Sequence, residues 1–540
     1  MNNKSISKFI ELNKKLFFKN RNKFKINNKE CILIEFNKWS CNHISISNCL
    51  LSLNQKKNHK VIAFPENGFD YFLNERSIVD KSKFILGQKF GINNFGVYKS
   101  FGTNQFLNVS NNNKYQNLTN KVFKKVVNKI KNKNDLLDLK LKNILIGDLI
   151  YDSYLKKYKK ETIDINSKMF INFLKISLDY FFFWIEQFKL NNIKSVISSQ
   201  SVYLSSLPLR ISTSKNLLSL VANPERLYHL TKKNIYSDKE FQLFNKLKKN
   251  ITKKNLIKGI KISEKKIKKR FQGKLGSDLS YLSKTAYGKF VGKRILKINK
   301  KFKVLVAPHS FSDAPHQLGK HLFPDYYEWL NFVISNASDK YDWYIKCHPN
   351  FVDYFDNTLS IVKRMIKKNN NIKYLKPNIS HRQLIKEGIK AVVTCHGTIG
   401  SEYPYFNLKV VNASNSNPHV NSRFNLNPKN KNQLKKILNN LENEKIRITK
   451  REILEYYFMK NIYFSNDWLF ENFDSLIKFC NGYKGIYTNK SYDFWLKNWN
   501  EKKQKRLTSS ISKFLSSKEY MMNFKHKNIK LEQHINENFI

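Results

Sequence analysis

Between residues 301 and 450, short apolar runs recur at intervals long enough to hold a helix. The runs are Val304–Ala307, Trp343–Lys346, Ile372–Leu375, Ala391–Thr394 and Lys409–Asn412. Helical segments separate or follow them at Asp325–Ser335, Val352–Ile366, Arg382–Gly388, Gly400–Phe406 and Asn432–Leu441. Strands joined by helical crossovers run parallel, so this spacing predicts an α/β domain with helices on both faces of one sheet. An earlier stretch repeats the pattern less cleanly. Cys31–Phe36 and Val61–Phe64 read as strands around a helix ending near Leu53. Gly96–Ser100, Ile144–Ile146 and Ser195–Ser198 read as further strands, and Met169–Phe188 as a buried helix.

The expected architecture is therefore two Rossmann-like domains facing each other across a cleft, a size that 540 residues support. The boundaries predicted are a polar leader at 1–29, an N-terminal Rossmann-like domain at 30–245 and a basic connector at 246–300. A C-terminal Rossmann-like domain follows at 301–450, then helices at 451–510 that pack back on the first domain, and a tail at 511–540. The ring-rich stretch Arg451–Phe470 motivates that packing, because so many aromatic side chains need a partner surface.

The net charge of +57 comes from 98 basic residues, of which only 12 are arginine. Lysine in excess alongside Asn and Ile is a drift expected of an AT-rich genome, so part of this charge carries no message. The rest favours anionic partners. A nucleic-acid-binding protein is the reading from a different class. Against it stand the lysine bias, aromatic residues set in apolar runs and the lack of any RNA- or DNA-binding signature, so no nucleic-acid partner is expected. Twelve basic residues between Lys246 and Arg270 face one acid, Glu264. A solvated helical connector explains them better than a dedicated patch.

Six cysteines without Cys-x-x-Cys spacing read as reduced, buried thiols. Lys175, Asp179 and Glu186 interrupt the most apolar stretch, Phe170–Phe188, and no signal-like apolar core opens the chain. A cytoplasmic protein is expected, with salt-sensitive peripheral contact to anionic lipid of the inner leaflet through surface such as Lys246–Arg270.

In open α/β sheets ligands sit beyond the carboxyl ends of the strands. After Val304–Ala307 comes Pro308-His309-Ser310-Phe311-Ser312-Asp313-Ala314-Pro315-His316, which suits phosphate or sugar hydroxyls but also reads as a polar turn capped by Asp313. After Trp343–Lys346 comes Cys347-His348-Pro349-Asn350, where Lys346 and His348 can face a diphosphate. After Ala391–Thr394 comes Cys395-His396-Gly397-Thr398-Ile399-Gly400-Ser401-Glu402, two glycines and two hydroxyls leading into a helix. Backbone N–H groups there suit an anion, and Glu402 suits sugar or ribose hydroxyls. No Asp-x-Asp pair occurs, so neither metal nor cofactor is expected. Leaving-group charge would fall to Lys346, His348 and the turn at Thr398.

The order SDAPH, DYYEWL, KCHPN and TCHGTIGSEYPYFNLKVV resembles the C-terminal half of capsule polysaccharide synthesis glycosyltransferases of the GT-B fold. Ile146–Tyr154 also resembles a segment of surface-carbohydrate proteins. The likeness covers roughly residues 300–412 well and the first 240 thinly. It implies that His348, Thr398 and Ser401 hold donor phosphates. Phe406-Asn407 stands where the family often has a small residue and Gly, which leaves the donor open.

In such transferases the base usually comes from the N-terminal domain. His43 is the positional candidate, since a near-neutral imidazole suits an acceptor hydroxyl. Asp148 and Asp313 are the carboxylate candidates. The expected activity is sugar transfer from a nucleotide-activated donor to a growing capsular or other surface glycan, lipid-linked or free. CDP-polyol phosphotransfer is the alternative within the fold. A UDP-sugar epimerase is a third relative, though the chain is long for one.

Overall fold

The computed structural model describes residues 3–18, 26–54, 58–74, 76–111, 114–275, 283–354, 357–367, 369 and 371–539. Residues 1, 2 and 19–25 of the expected leader and 276–282 of the expected connector lie outside the described residues. The chain divides into two compact units, each discontinuous in sequence. The first holds 1–150, 165–237 and 465–538, and the second holds 151–164, 238–464 and 539–540. Both are α/β with mainly parallel sheets, the fold class that the strand–helix alternation leads one to expect.

The first unit contains β1 (Ile26–Phe36), β2 (Asn58–Pro65), β3 (Thr103–Phe106), β6 (Ile193–Ser198), β7 (Leu218–Ala222) and β8 (Leu227–Leu230). They form one sheet in the order β3-β2-β1-β6-β7-β8, parallel except for β7 with β8. A small antiparallel pair, β4 (Lys140–Leu141) and β5 (Ile144–Leu145), stands apart. Ile32, Leu33 and Ile34 are all buried, as a central strand covered on both faces requires.

Two expectations are corrected here. Gly96–Ser100 belongs to a helix, Asn94–Ser100, and the strand is the next segment, β3. A five-residue stretch is too short for a period that separates the two. The polar leader, expected to precede the first domain, is also part of the first unit along 3–18. It forms the helix Asn3–Phe18, which buries Phe9 against Tyr492 at 4.5 Å between rings. The rings of Arg451–Phe470 divide between the units. Tyr456, Tyr457, Phe458 and Tyr463 are buried in the second unit, and Trp468 and Phe470 join the core of the first.

The second unit contains β9 (Lys303–Ala307), β10 (Asp342–Lys346), β11 (Ile372–Leu375), β12 (Ile389–Thr394) and β13 (Lys409–Asn412). Their order is β11-β10-β9-β12-β13, all parallel. The chain winds outward from β9 through β10 and β11, then returns to the other side of β9 for β12 and β13. Strand order therefore reverses between β9 and β12, where an open α/β sheet leaves a crevice beyond its strand ends.

The basic connector is a helix of this unit, Lys253–Phe271, with its lysines outward and Gly259, Ile262, Ile267 and Phe271 buried. It packs on the helix Lys450–Phe458 so closely that a Cβ at Gly259 would lie 2.3 Å from the Phe458 ring. All six cysteines are free and buried. Among the described residues no helix is long and apolar enough to cross a membrane.

Candidate functional site

The carboxyl ends of β9 and β12 are joined through Thr394, whose hydroxyl donates to the carbonyls of Ala307 and His396, each at 3.0 Å. The turn that follows is built around Gly397. Its φ of +131° is a conformation only glycine adopts comfortably, and a Cβ there would meet nothing within 4 Å. The backbone thus stands open on that side. The loop after β13 braces the turn from the other. Asn417 Nδ2 donates to the Cys395 carbonyl at 3.1 Å, and His419 Nε2 donates to the Gly397 carbonyl at 3.1 Å. Gly400 must be glycine, since a Cβ would sit 2.4 Å from the His419 ring.

Around this turn the hydrogen-bond partners assign the imidazole protons. Gln317 Nε2 lies 3.5 Å from His396 Nε2, which makes that nitrogen the acceptor and puts the proton on Nδ1. His396 Nδ1 is buried and has no hydrogen-bond partner among the described residues. The His396 ring is 5.0 Å from that of His309. His348 Nδ1 accepts from the Asn350 N–H at 3.1 Å, so its Nε2–H remains a donor. Burial lowers His348 to about 3, helped by the charge of Lys346. Burial, then the neighbouring histidines and Lys460, hold His396 well below the usual range. Both rings are neutral donors at pH 7.

Lys346, at the end of β10, is buried. Its ammonium donates to His381 Nε2 at 3.3 Å, and His381 in turn reaches the Tyr403 hydroxyl at 2.8 Å. Among the described residues no carboxylate hydrogen-bonds to Lys346. Burial lowers it to about 8, against the opposing pull of Cys347 and Glu402. It stays mostly charged at neutral pH. A desolvated cation and two unspent N–H donors at a strand-order reversal favour an anion.

Glu402 is placed differently from its expected role on sugar hydroxyls. It is buried, paired with Arg270 and hydrogen-bonded by the Tyr287 hydroxyl at 2.7 Å. Burial raises its pKa, but Arg270, Thr398 and Tyr287 outweigh that and hold it below the usual range. The carboxylate fixes Arg270, which also donates to the Thr398 hydroxyl at 3.2 Å. The helix after Thr398, Ile399–Tyr405, has only seven residues, and Ser401 Oγ donates back to the Thr398 carbonyl at 3.1 Å. Its dipole is therefore a smaller contribution than the sequence pattern suggests.

Three other candidates are held elsewhere by their own partners. His316 is buried, with Nδ1 on Asp152 at 2.6 Å and Nε2 on the Pro324 carbonyl at 2.8 Å. It anchors residues 151–164 to the loop after β9 instead of binding substrate. His43 is buried in the first unit, bonded to the Tyr492 hydroxyl and, at 2.8 Å, to the Asn37 carbonyl. Burial lowers it to about 4, and both ring nitrogens are occupied, so it offers no lone pair to an acceptor hydroxyl. Asp148 is buried against Arg210 through two bonds of 3.0 and 2.9 Å, with the Tyr236 hydroxyl at 3.0 Å. It too is consumed by structure. Asp313 remains half-exposed in the loop after β9.

Arg270, Tyr287, His381 and His419 were not legible as site residues. Arginine is scarce in this lysine-rich chain, and that scarcity was the one signal pointing to Arg270. The first unit holds a further unassigned group. Glu35, at the end of β1, is buried and accepts from the Ser199 N–H and, at 3.2 Å, the Ser198 hydroxyl.

No protein-family model matches the chain, and no curated protein matches it. Among solved structures it is similar to the UDP-GlcNAc 2-epimerase of Methanocaldococcus jannaschii in complex with UDP-GlcNAc and UDP. That likeness has 9% identity and a TM-score of 0.22, and covers 79% of this chain and 97% of the other. It is similar to the UDP-GlcNAc 2-epimerase of Neisseria meningitidis bound to UDP-GlcNAc at 10% identity and a TM-score of 0.21, covering 80% and 100%. The N-terminal domain of Candida albicans trehalose-6-phosphate phosphatase is similar at 10% identity and a TM-score of 0.21, covering 80% and 93%.

Proposed function

We propose that the chain is a glycosyltransferase that binds a nucleotide-activated sugar at the carboxyl edge of the second sheet and passes the sugar to a growing surface polysaccharide. One observation carries the reading. The buried Lys346 ammonium and the His348 Nε2–H at the end of β10, and the His396 Nδ1–H after β12, without a partner among the described residues, flank β9 at the strand-order reversal, beside an open Gly397. The order of the SDAPH, KCHPN and TCHGTIGSEYP segments supports transfer as the reaction.

In this reading the acceptor oxygen bonds to the anomeric carbon as the bond from that carbon to the diphosphate oxygen breaks. The departing nucleoside diphosphate gains negative charge, which Lys346 and His348 stabilise in a desolvated setting. The open Gly397–Thr398 backbone, positioned by Arg270, meets the phosphate oxygens, the Ser401 hydroxyl being spent on the Thr398 carbonyl. His309 orients the sugar. The acceptor proton passes to Asp313, the candidate carboxylate that is not buried. A lipid-linked or free glycan fits equally as acceptor.

Thermal melting with UDP, CDP, GDP and CMP tests this. One nucleoside diphosphate raises the melting temperature, since a ligand at 100 times its Kd stabilises by about 2.7 kcal/mol. Lys346→Met abolishes the rise. A response to CDP alone, with turnover of a CDP-polyol, replaces sugar transfer by polyol-phosphate transfer. Equal melting with every nucleotide overturns the site.

A further inference from the structure

The helix Ile78–Phe90 of the first unit is turned the wrong way round for a globular surface. Only Gly87 along it is buried. Ile78 is 82% exposed, Ile85 62% and Phe90 66%, and Val79, Leu86 and the following Ile92 are exposed as well. At about 100° per residue, Ile78, Val79, Ile85, Leu86 and Phe90 occupy one arc of roughly 140°. Phe84 and Gly87 lie opposite that arc, and they are what holds the helix to the body.

That attachment is well defined. Gly87 lies so close to Phe95 that a Cβ would stand 2.6 Å from its ring, and the Phe84 and Phe95 rings meet edge-on at 5.5 Å. The Arg76 guanidinium covers the other side of Phe84 at 4.4 Å. Ser77 caps the first turn by accepting from the Asp80 N–H at 3.1 Å, and Gly91 ends the helix in the left-handed conformation. The outer apolar arc is thus presented by an ordered, capped helix. Lys81 and Lys83 flank the arc, while Ser82 and Lys89 fall within it; Lys89 sits in the last turn beside the Phe90 ring, where its long stem can lie along the apolar face and lift the ammonium out of it.

We propose that Ile78–Phe90, with Ile92 after it, is an interfacial anchor that lies in the surface of an anionic membrane. The apolar arc enters the acyl region, and Lys81, Lys83 and Lys89 reach the lipid phosphates. An apolar face edged with lysines is the pattern of helices that rest in such an interface. Charge argues against a second copy of this chain as the occupant. A symmetric contact would set the three lysines against their own equivalents, in a protein already at +57. The anchor is independent of what reaction the second unit performs.

An environment-sensitive fluorophore on Ile85→Cys tests insertion, the six native thiols being buried. Added phosphatidylglycerol vesicles should brighten the label and shield it from aqueous iodide, at salt high enough to screen surface charge. Iodide access unchanged by vesicles overturns the proposal. A triple change, Ile85→Ser with Leu86→Ser and Phe90→Ser, removes no buried side chain, so its melting temperature should match the parent. Its pelleting with the same vesicles in high salt should fall about tenfold or more. Parent-like pelleting overturns the anchor. So does a label that becomes shielded without lipid as protein concentration rises, because a second copy then covers the helix.

Discussion

Each unit has a sheet whose strand order reverses beside its central strand, and the two reversals carry opposite chemistry. In the second unit, Lys346, His348 and His396 bring a cation and N–H donors to the ends of β9, β10 and β12. In the first, the end of β1 carries Glu35, a carboxyl satisfied by Ser198 and Ser199. Topology supplies a crevice in both, and under the proposed function it is the second that takes a phosphate. Both units also contain a buried arginine–carboxylate pair. Asp148–Arg210 holds the first unit together, whereas Glu402–Arg270 holds Arg270 over the Thr398 turn.

The sharpest test of this contrast is to break the two pairs in parallel. Arg210→Met and Arg270→Met each leave a buried carboxylate without its cation, which costs about 3–5 kcal/mol of stability. Chemical denaturation should report that loss in both. Nucleotide binding by the surviving folded protein should fall only in Arg270→Met. Equal loss of binding in the two variants would erase the distinction between them.

His348→Ala comes next. Removing one preorganised donor to a leaving group lowers turnover by about 10²–10³. Denaturation should be close to that of the parent, because the loop adds little to the core. A folded His348→Ala protein with parental turnover makes His348 a turn residue and moves the nucleotide elsewhere.

Gly397→Ala is smaller. The open side accepts a methyl group, but φ of +131° strains any L-residue, at about 1–3 kcal/mol. The melting temperature should drop and nucleotide affinity with it. An unchanged melting temperature would show that the turn relaxes freely.

The smallest effect probes the first unit. Burial, with the Glu66 charge adding to it, lifts Glu35 from 4.5 to about 7. The folded state therefore holds this proton more tightly than the unfolded chain does. Its contribution to stability is fully present below about pH 4.5 and is lost as pH rises through about 7. Glu35→Gln should flatten that part of the pH–stability curve and gain on the order of 1–2 kcal/mol above neutrality. A curve that keeps its slope would assign the titration to another group.

The strand and helix pattern of the second unit was open to reading because it is local. Val304–Ala307 and Ala391–Thr394 are apolar runs between turn residues, and they form the ends of β9 and β12 that the pattern implied. The loops after them were equally visible, as were His348, His396 and Gly397. The first unit was harder. The short β3, β7 and β8 carry little periodicity, and the helix Asn3–Phe18 is stabilised by Phe9 meeting Tyr492 from the far end of the chain.

Sequence by itself determined the α/β class, the parallel winding of the second sheet and the loops that bear polar groups at its edge. Tertiary structure alone decided which ionisable groups are spent on the fold. His43, Asp148, His316 and Glu402 share residue types with reactive groups, yet Tyr492, Arg210, Asp152 and Arg270 occupy them. A charge buried without a partner costs several kcal/mol, so each must find one wherever the fold brings it. That partner lies far away in the chain, where local pattern carries no information about it.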